Sequence, residues 1–275
     1  MRNIIGIISA QYQGVYRVFL PHTGDDFPAK PSGNLRRKLE QDKTLLVTGD
    51  RVVLDRENDT NGPAVIMQSL PRSSLLSRVE AGLKGRSQPL AANVDIAFIC
   101  TSMNEEFNLG RLERYLALVD GAGIRPVLLL TKADILDDNS AYLAQLAAIN
   151  PPREHILCSA MTGQGIERVR SLLAGELTSV LLGSSGVGKS SLVNAILGET
   201  RMHTSAISAF QAKGRHTTTT RELIALPAGG YLIDTPGMRE LKLDQSDVQA
   251  GFQDIAALAE QCRFRNCRHN TNPKR

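Results

Sequence analysis

The chain contains no tryptophan, 4% aromatic residues and only four cysteines, and nowhere in its 275 residues does an apolar run reach the roughly 18 residues that a membrane-crossing helix requires. The missing apolar run excludes a helical span. So few cysteines do not make a disulfide framework. The opening, Met1 to Ile8, lacks the longer apolar stretch and small-residue cleavage site of a secretory signal, so a cytoplasmic protein is expected. No internal repeat or long low-complexity tract is present.

What is present is ordinary globular composition, with 42% hydrophobic and 22% charged residues, in a length that suggests two or three domains. The net charge of +4 is mild, but its distribution is uneven. Arg263, Arg265, Arg268, Lys274 and Arg275 crowd the last segment with no acid among them, and Arg36, Arg37 and Lys38 form a second cluster. These are either solvated basic faces or contacts for a polyanion. Cys100 and Cys158 end apolar runs and read as buried core thiols, whereas Cys262 and Cys267 stand apart.

Residues 1 to about 70 carry short alternating segments, Gly14 to Leu20, Leu45 to Val47, Arg51 to Asp55 and Ala64 to Gln68. Turn-rich stretches separate them, among them Pro21 to Gly33 and Asn58 to Pro63, and the pattern predicts a small antiparallel β-barrel. A basic linker, about Pro71 to Leu90, leads to the buried-type strand Asn93 to Cys100. Further apolar strands are predicted at Pro126 to Leu130, His155 to Cys158, Ser179 to Leu182 and Tyr231 to Ile233, with helical spacing at Leu112 to Val119 and Ile166 to Leu173. This alternation is that of an α/β doubly wound parallel sheet, which binds ligands at the carboxyl ends of its strands. A last helix is expected from Ser246, where Gln249 completes a capping box and Val248, Phe252, Ile255 and Ala259 form an apolar stripe.

Gly183-Ser184-Ser185-Gly186-Val187-Gly188-Lys189-Ser190, with Ser191 behind it, fits the phosphate-binding loop pattern and lies between a strand and a helical run. Its glycines let backbone amides curl around a β-phosphate at a helix N-terminus; Lys189 would bridge β- and γ-phosphates and Ser190 would hold magnesium. Asp234-Thr235-Pro236-Gly237 follows a strand and reads as the second switch, with Asp234 on magnesium through water and the Gly237 amide at the γ-phosphate. Thr131-Lys132-Ala133-Asp134 ends another strand. The Asp134 carboxylate can accept two hydrogen bonds from guanine, which adenine cannot supply, so GTP is favoured over ATP. The usual first residue of that motif is Asn, and Thr131 is expected to weaken the contacts Asn would make. Ser159-Ala160 would point a backbone amide at the guanine keto oxygen.

Between phosphate loop and second switch lies Met202 to Arg221, polar and rich in Thr and Ser, which reads as the first switch. Met238 stands where many signalling GTPases carry a water-orienting Gln, so the base must come from elsewhere. His216 is the nearest candidate; its alternatives are a plain loop residue or an RNA contact. The guanine motif precedes the phosphate loop, the reverse of an ordinary small GTPase, so the chain reads as circularly permuted.

These residues, together with Val47-Thr48-Gly49-Asp50-Arg51-Val52, Ala92-Asn93-Val94-Asp95 and Arg111-Leu112-Glu113-Arg114-Tyr115-Leu116, resemble the circularly permuted GTPase family called RsgA or YjeQ, over essentially the whole chain. The resemblance implies an OB-type RNA-binding barrel (1–70), a permuted GTPase domain (71–245) and a C-terminal helix with a zinc-binding segment (246–275). It also implies a GTPase that acts late in small-ribosomal-subunit maturation and is stimulated by that subunit, with Thr218 on magnesium and His216 as the catalytic residue. The family's zinc pattern is matched by Cys262, Cys267 and His269, but the fourth position is Arg275, which has no lone pair to give. Three ligands leave an open, weaker site in a knuckle that is cut short or degenerate, and His269 is otherwise a surface residue.

Two functions fit these residues. One is a GTP-hydrolysing assembly factor whose partners are GTP, GDP and the small subunit with its rRNA, monomeric by default and without a DNA or membrane partner. The other is a nucleotide-gated RNA-binding module in which hydrolysis is incidental. An ATP-dependent phosphotransferase has little support, because Asp134 selects against adenine.

Overall fold

The computed structural model describes residues 4–12, 15–79, 87–149, 151–198, 221–227 and 229–234. Strands β1 (Ile4–Tyr12), β2 (Val15–Phe19), β3 (Asp26–Pro31), β4 (Arg51–Leu54) and β5 (Ala64–Ser69) pair in the order β1-β2-β3-β5-β4, and β4 returns to β1. Five strands thus close a barrel, which removes the free edges an open sheet would expose. Alternation along β2 turns Tyr16 and Val18 inward, where they meet Ile8, Phe27, Val52 and Ile66. Helix α1 (Gly33–Gln41) starts where the Ser32 hydroxyl accepts from the Leu35 amide at 3.2 Å, and it tucks Leu35 into the barrel interior. Its opposite face presents Arg36, Arg37 and Lys38 to solvent.

Several expected pieces differ. Pro21 to Gly33 is more than turn, because it contains β3. Leu45 to Val47 is a loop: the buried Asp50 carboxylate takes the Val47 amide at 2.8 Å and Arg72 grips the Leu45 carbonyl at 2.5 Å, so side chains replace a strand partner. Pro71 to Leu90 holds β6 (Leu75–Val79) and the start of β7 (Ser87–Ala92), an antiparallel hairpin whose Leu76 and Leu90 belong to the core of the second sheet.

That sheet comprises β8 (Ile96–Ser102), β9 (Arg125–Thr131), β10 (His155–Leu157), β11 (Thr178–Leu182), β12 (Glu222–Ala225) and β13 (Tyr231–Asp234), in the spatial order β10-β9-β8-β11-β13-β12. All neighbours run parallel except β12 with β13. Successive residues point to opposite faces. Ala97, Ile99, Leu128, Leu130, Val180 and Leu182 face α2 (Leu109–Gly121) and α3 (Ser140–Leu146), while Phe98, Cys100, Val127, Leu129 and Leu181 face α4 (Ile166–Leu173) and α5 (Lys189–Leu197). Strands buried on both sides must be apolar throughout, which is why they were legible as continuous runs.

Barrel and sheet meet along a seam. The bridge Ala10 to Glu222 joins β1 to β12, Ile7 packs into the core of the second sheet, and the rings of Phe19 and Tyr231 meet edge to face at 5.8 Å. Gly49 is required here: its φ is +93°, and a Cβ would come within 2.1 Å of the Ala92 carbonyl oxygen. Asn93 donates to the Gly49 carbonyl at 2.9 Å and accepts the Ser73 amide at 2.9 Å. Arg72 holds Asp50 through two 2.7 Å hydrogen bonds, and that pairing raises the guanidinium pKa.

Candidate functional site

Three loops converge at the carboxyl ends of β9, β10 and β11. The first begins where β11 ends. Gly183 takes φ +145°, and a Cβ on it would lie 2.5 Å from the Cys100 carbonyl oxygen, so the chain turns hard against β8 before rising. Val187 is buried and anchors the loop to the α4–α5 side of the core. Ser185 and Gly186 stand exposed at its tip.

Helix α5 starts at Lys189 with no side-chain cap, because its capping position is Gly188. The amides of Gly186, Val187 and Gly188 meet no acceptor among the described residues. Open amides and the positive end of a nine-residue helix make a nest for a phosphate. Lys189 folds back so that its Nζ donates to the carbonyls of Gly183 at 2.7 Å and Ser184 at 2.6 Å, which leaves the ammonium over the nest. The Ser184 hydroxyl is buried with no partner among the described residues, a polar atom waiting for an acceptor. Ser190 follows in the first turn of α5, and Ser191 next to it is half-buried. This loop therefore fits a nucleotide's phosphates.

The second loop follows β9. Thr131 is 4% exposed, and its hydroxyl lies 2.5 Å from the Val187 carbonyl and 3.1 Å from the Thr101 carbonyl. A hydroxyl has one proton to give, and the shorter contact ties this loop directly to the phosphate loop. The expectation is that Thr131 weakens the contacts an Asn would make; the structure shows the brace that Thr131 itself makes, through one donor. Lys132 adopts a left-handed conformation at φ +59°, Ala133 is buried with its amide on the Cys158 carbonyl at 3.1 Å, and Asp134 emerges into solvent.

The third loop follows β10. Ser159 is fully buried; its hydroxyl accepts the amides of Met161 at 3.2 Å and Thr162 at 3.1 Å, and its own amide donates to Gln164 at 3.0 Å. Those bonds fix the turn and leave the Ala160 amide without an acceptor among the described residues, next to the Asp134 loop. A carboxylate and a free amide on the loops that follow neighbouring strands suit a base that offers N–H donors and a keto oxygen.

Beneath the site, Cys100 and Cys158 are buried as expected, and burial pushes both thiols up to about 12. They are core thiols rather than nucleophiles. Strand β13 ends at Asp234 beside β11, where the second-switch motif begins. The side chain of Asp234, together with His216, Thr218, Gly237, Cys262, Cys267 and His269, lies outside the described residues; among those that are described, no group of three or more His, Cys, Asp or Glu could hold a metal. Sequence reasoning missed the seam around Thr48, Arg72 and Arg221, whose only local signal is the turn glycine at 49.

A phosphate loop at the end of β11 with base-reading loops at the ends of β9 and β10, and with β8 to β10 preceding β11 in the chain, defines a circularly permuted P-loop GTPase. The model of the RsgA GTPase family matches residues 69–244. The chain is 40% identical over 271 residues to the small ribosomal subunit biogenesis GTPase RsgA 2 of Lactiplantibacillus plantarum, covering 98% of this chain and 76% of that one. It is also 40% identical over 272 residues to RsgA of Methanosarcina acetivorans, covering 98% and 72%. Among solved structures it resembles YjeQ from Thermotoga maritima (27% identity, TM-score 0.69, 99% of this chain and 89% of that chain). A second likeness is to YloQ, a circularly permuted GTPase (25% identity, TM-score 0.63, 99% and 86%). The chain belongs to the RsgA GTPase family.

Proposed function

We propose that this chain is a cytoplasmic GTPase that binds the small ribosomal subunit in its GTP state, assists late maturation of that subunit and leaves after hydrolysis to GDP and phosphate. The observation that carries this reading is the convergence of an anion nest after β11 and a guanine-suited pair, Asp134 and the Ala160 amide, after β9 and β10, with the phosphate loop and the Asp134 loop tied together by the Thr131 to Val187 bond. In this reading residues 1–70 form the OB-type RNA-binding domain, 71–245 the GTPase and 246–275 the C-terminal segment.

Gly183 to Ser191 cradle the phosphates, Lys189 neutralises β- and γ-oxygens, and Thr131, Lys132, Asp134, Ser159 and Ala160 hold the base. Ser190, Thr218 and Asp234 are the oxygen donors suited to magnesium, which when bound stabilises charge developing on the bridging and terminal phosphate oxygens. With Met238 unable to polarise water, His216 orients the attacking water and accepts its proton. Cys262, Cys267 and His269 with Arg275 do not make the closed tetrahedron of a structural zinc, and no step depends on one.

Binding is tested by titrating fluorescent GDP against GTP, GDP, ATP and ADP. Guanine nucleotides compete and adenine nucleotides do not; equal competition by ATP contradicts the base assignment. His216→Ala separates the two functions that the missing Gln leaves open. Subunit release that stalls in this variant, with GTP binding retained, supports a hydrolysis-driven cycle, whereas unchanged release supports a nucleotide-gated binding module.

A further inference from the structure

Beside α1 the barrel holds a cleft of about 600 Å³. Arg36, Leu39 and Glu40 stand at i, i+3 and i+4 of the helix, so they share the face that forms one wall. After the helix the chain doubles back. The Thr44 amide returns to the Leu39 carbonyl at 2.9 Å, with Lys43 in the left-handed conformation at φ +50°. That turn brings Lys43 and Leu45 into the lining. Leu45 is 54% exposed, yet its backbone is held by Arg72 on the carbonyl at 2.5 Å. Tyr16 on β2 also lines the cleft; it is 9% exposed, and its hydroxyl has no hydrogen-bond partner among the described residues. Burial first, and the charge of nearby Asp50 second, push the phenol pKa up, so the hydroxyl keeps its proton and can both donate and accept.

The parts of this lining call for one kind of ligand. A buried hydroxyl left without a partner is costly until something supplies one. Leu39 and Leu45 are apolar walls that gain from being covered. Arg36 and Lys43 carry no carboxylate among the described residues, and Glu40 carries no cation. Arg37 and Lys38 extend the positive charge along the exposed side of α1, which favours a polyanion. An unstacked nucleotide in an RNA strand meets all of these, with a flat base, an edge of donors and acceptors, and a phosphate on either side. The Glu40 carboxylate suits an exocyclic amine on that edge. An acidic peptide would satisfy the cations but set like charge against Glu40. The volume falls in the range of about 300–1,000 Å³ that encloses small organic groups.

We propose that this cleft takes one unstacked base of a single-stranded RNA. The Tyr16 hydroxyl and the Glu40 carboxylate meet the edge of a base that carries an exocyclic amine, and Arg36 and Lys43 meet its flanking phosphates. The choice of RNA rests on the ribosomal reading above.

The test uses the full chain loaded with a non-hydrolysable GTP analogue and fluorescein-labelled oligocytidylate and oligouridylate of equal length, with affinity measured across a range of potassium chloride. Only the first RNA has the amine, so it binds about tenfold more tightly, and Glu40→Leu removes that preference. Tyr16→Phe keeps the ring in the barrel and removes only the hydroxyl; it weakens oligocytidylate about fivefold at every salt concentration and leaves the salt slope as it was. Leu45→Ser, at an exposed side chain, also weakens binding without changing the slope. Arg36→Gln and Lys43→Gln each lower the slope of log affinity against log salt by about 0.7, the loss of one phosphate contact on a single strand.

Equal binding of the two RNAs overturns the role given to Glu40. Lower slopes from Arg36→Gln and Lys43→Gln, with Tyr16→Phe and Leu45→Ser binding as wild type, leave only a basic surface and refute the base contact. A Tyr16→Phe chain that melts earlier but binds RNA normally makes the hydroxyl structural, which also refutes it. Variants that bind both RNAs normally but lose small subunits put a ribosomal protein in the cleft instead of RNA. Failure of the ribosomal reading has its own signature, a wild-type chain whose GTP hydrolysis ignores small subunits, and the two RNAs still report on the cleft.

Discussion

Replacing Thr131 by valine preserves shape and removes one proton donor. The hydroxyl sits 2.5 Å from the Val187 carbonyl in a site that is 4% exposed, so no bulk water replaces the lost bond. Stranding a buried acceptor costs about 1–3 kcal/mol. In a chain of this size that lowers the melting temperature by roughly 2–4 °C per kcal/mol. The bond also ties the phosphate loop to the guanine loop, so its loss lets the two halves of the site move apart. If about 1.4 kcal/mol of the cost falls on the nucleotide complex, the Kd for GDP rises about tenfold. Thr131→Ser keeps the donor and stays much closer to wild type. Fluorescent-GDP titration and thermal melting of the three proteins read both effects. Thr131→Val with wild-type affinity and melting would show that the brace carries no energy, and would refute the account of how the site is assembled.

Asp134→Asn swaps an acceptor for an amide where guanine presents two N–H groups; losing two charge-assisted bonds at about 1.5–3 kcal/mol each weakens GTP at least a hundredfold and shifts preference toward xanthine nucleotides, read by competition. Gly49→Ala forces a Cβ to within 2.1 Å of the Ala92 carbonyl at φ +93°, and lowers stability by at least about 2 kcal/mol in denaturant unfolding, with a smaller effect on GDP affinity. The thiols of Cys100 and Cys158, raised from 9.0 to about 12, remain neutral in the folded chain. Their contribution to stability is present below pH 9 and is lost as pH rises toward 12, because the unfolded chain then binds fewer protons. Peptide mapping after iodoacetamide treatment at pH 8 finds both unmodified until the protein is denatured.

Elements with strong local periodicity were legible in the sequence. The spacing over Ile166 to Leu173 predicts α4 with the ends the structure gives it, and the apolar runs predict β9, β10, β11 and β13 to within a residue or so. Strands that depend on partners far along the chain were not. β3 contains Pro28 and Pro31 and reads as turn, while β12 is four residues long and exists through its pairing with β13 and the bridge to Ala10. The phosphate loop and the Thr131 to Asp134 motif are continuous in sequence, so their residue types could be read directly. Their mutual bracing spans 56 residues, and the Thr48 to Arg221 bond spans 173, so no local pattern carries either. The first-switch residues His216 and Thr218 and the zinc pattern fall outside the described residues and stand as read from sequence.

The most direct measurement is GTP hydrolysis by the full chain with and without small ribosomal subunits, with ATP in parallel. Slow turnover alone, strong stimulation by the subunit with GTP, and none with ATP are expected. Tight GTP binding with no stimulation by the subunit would contradict the central claim that this nucleotide site is a ribosomal switch.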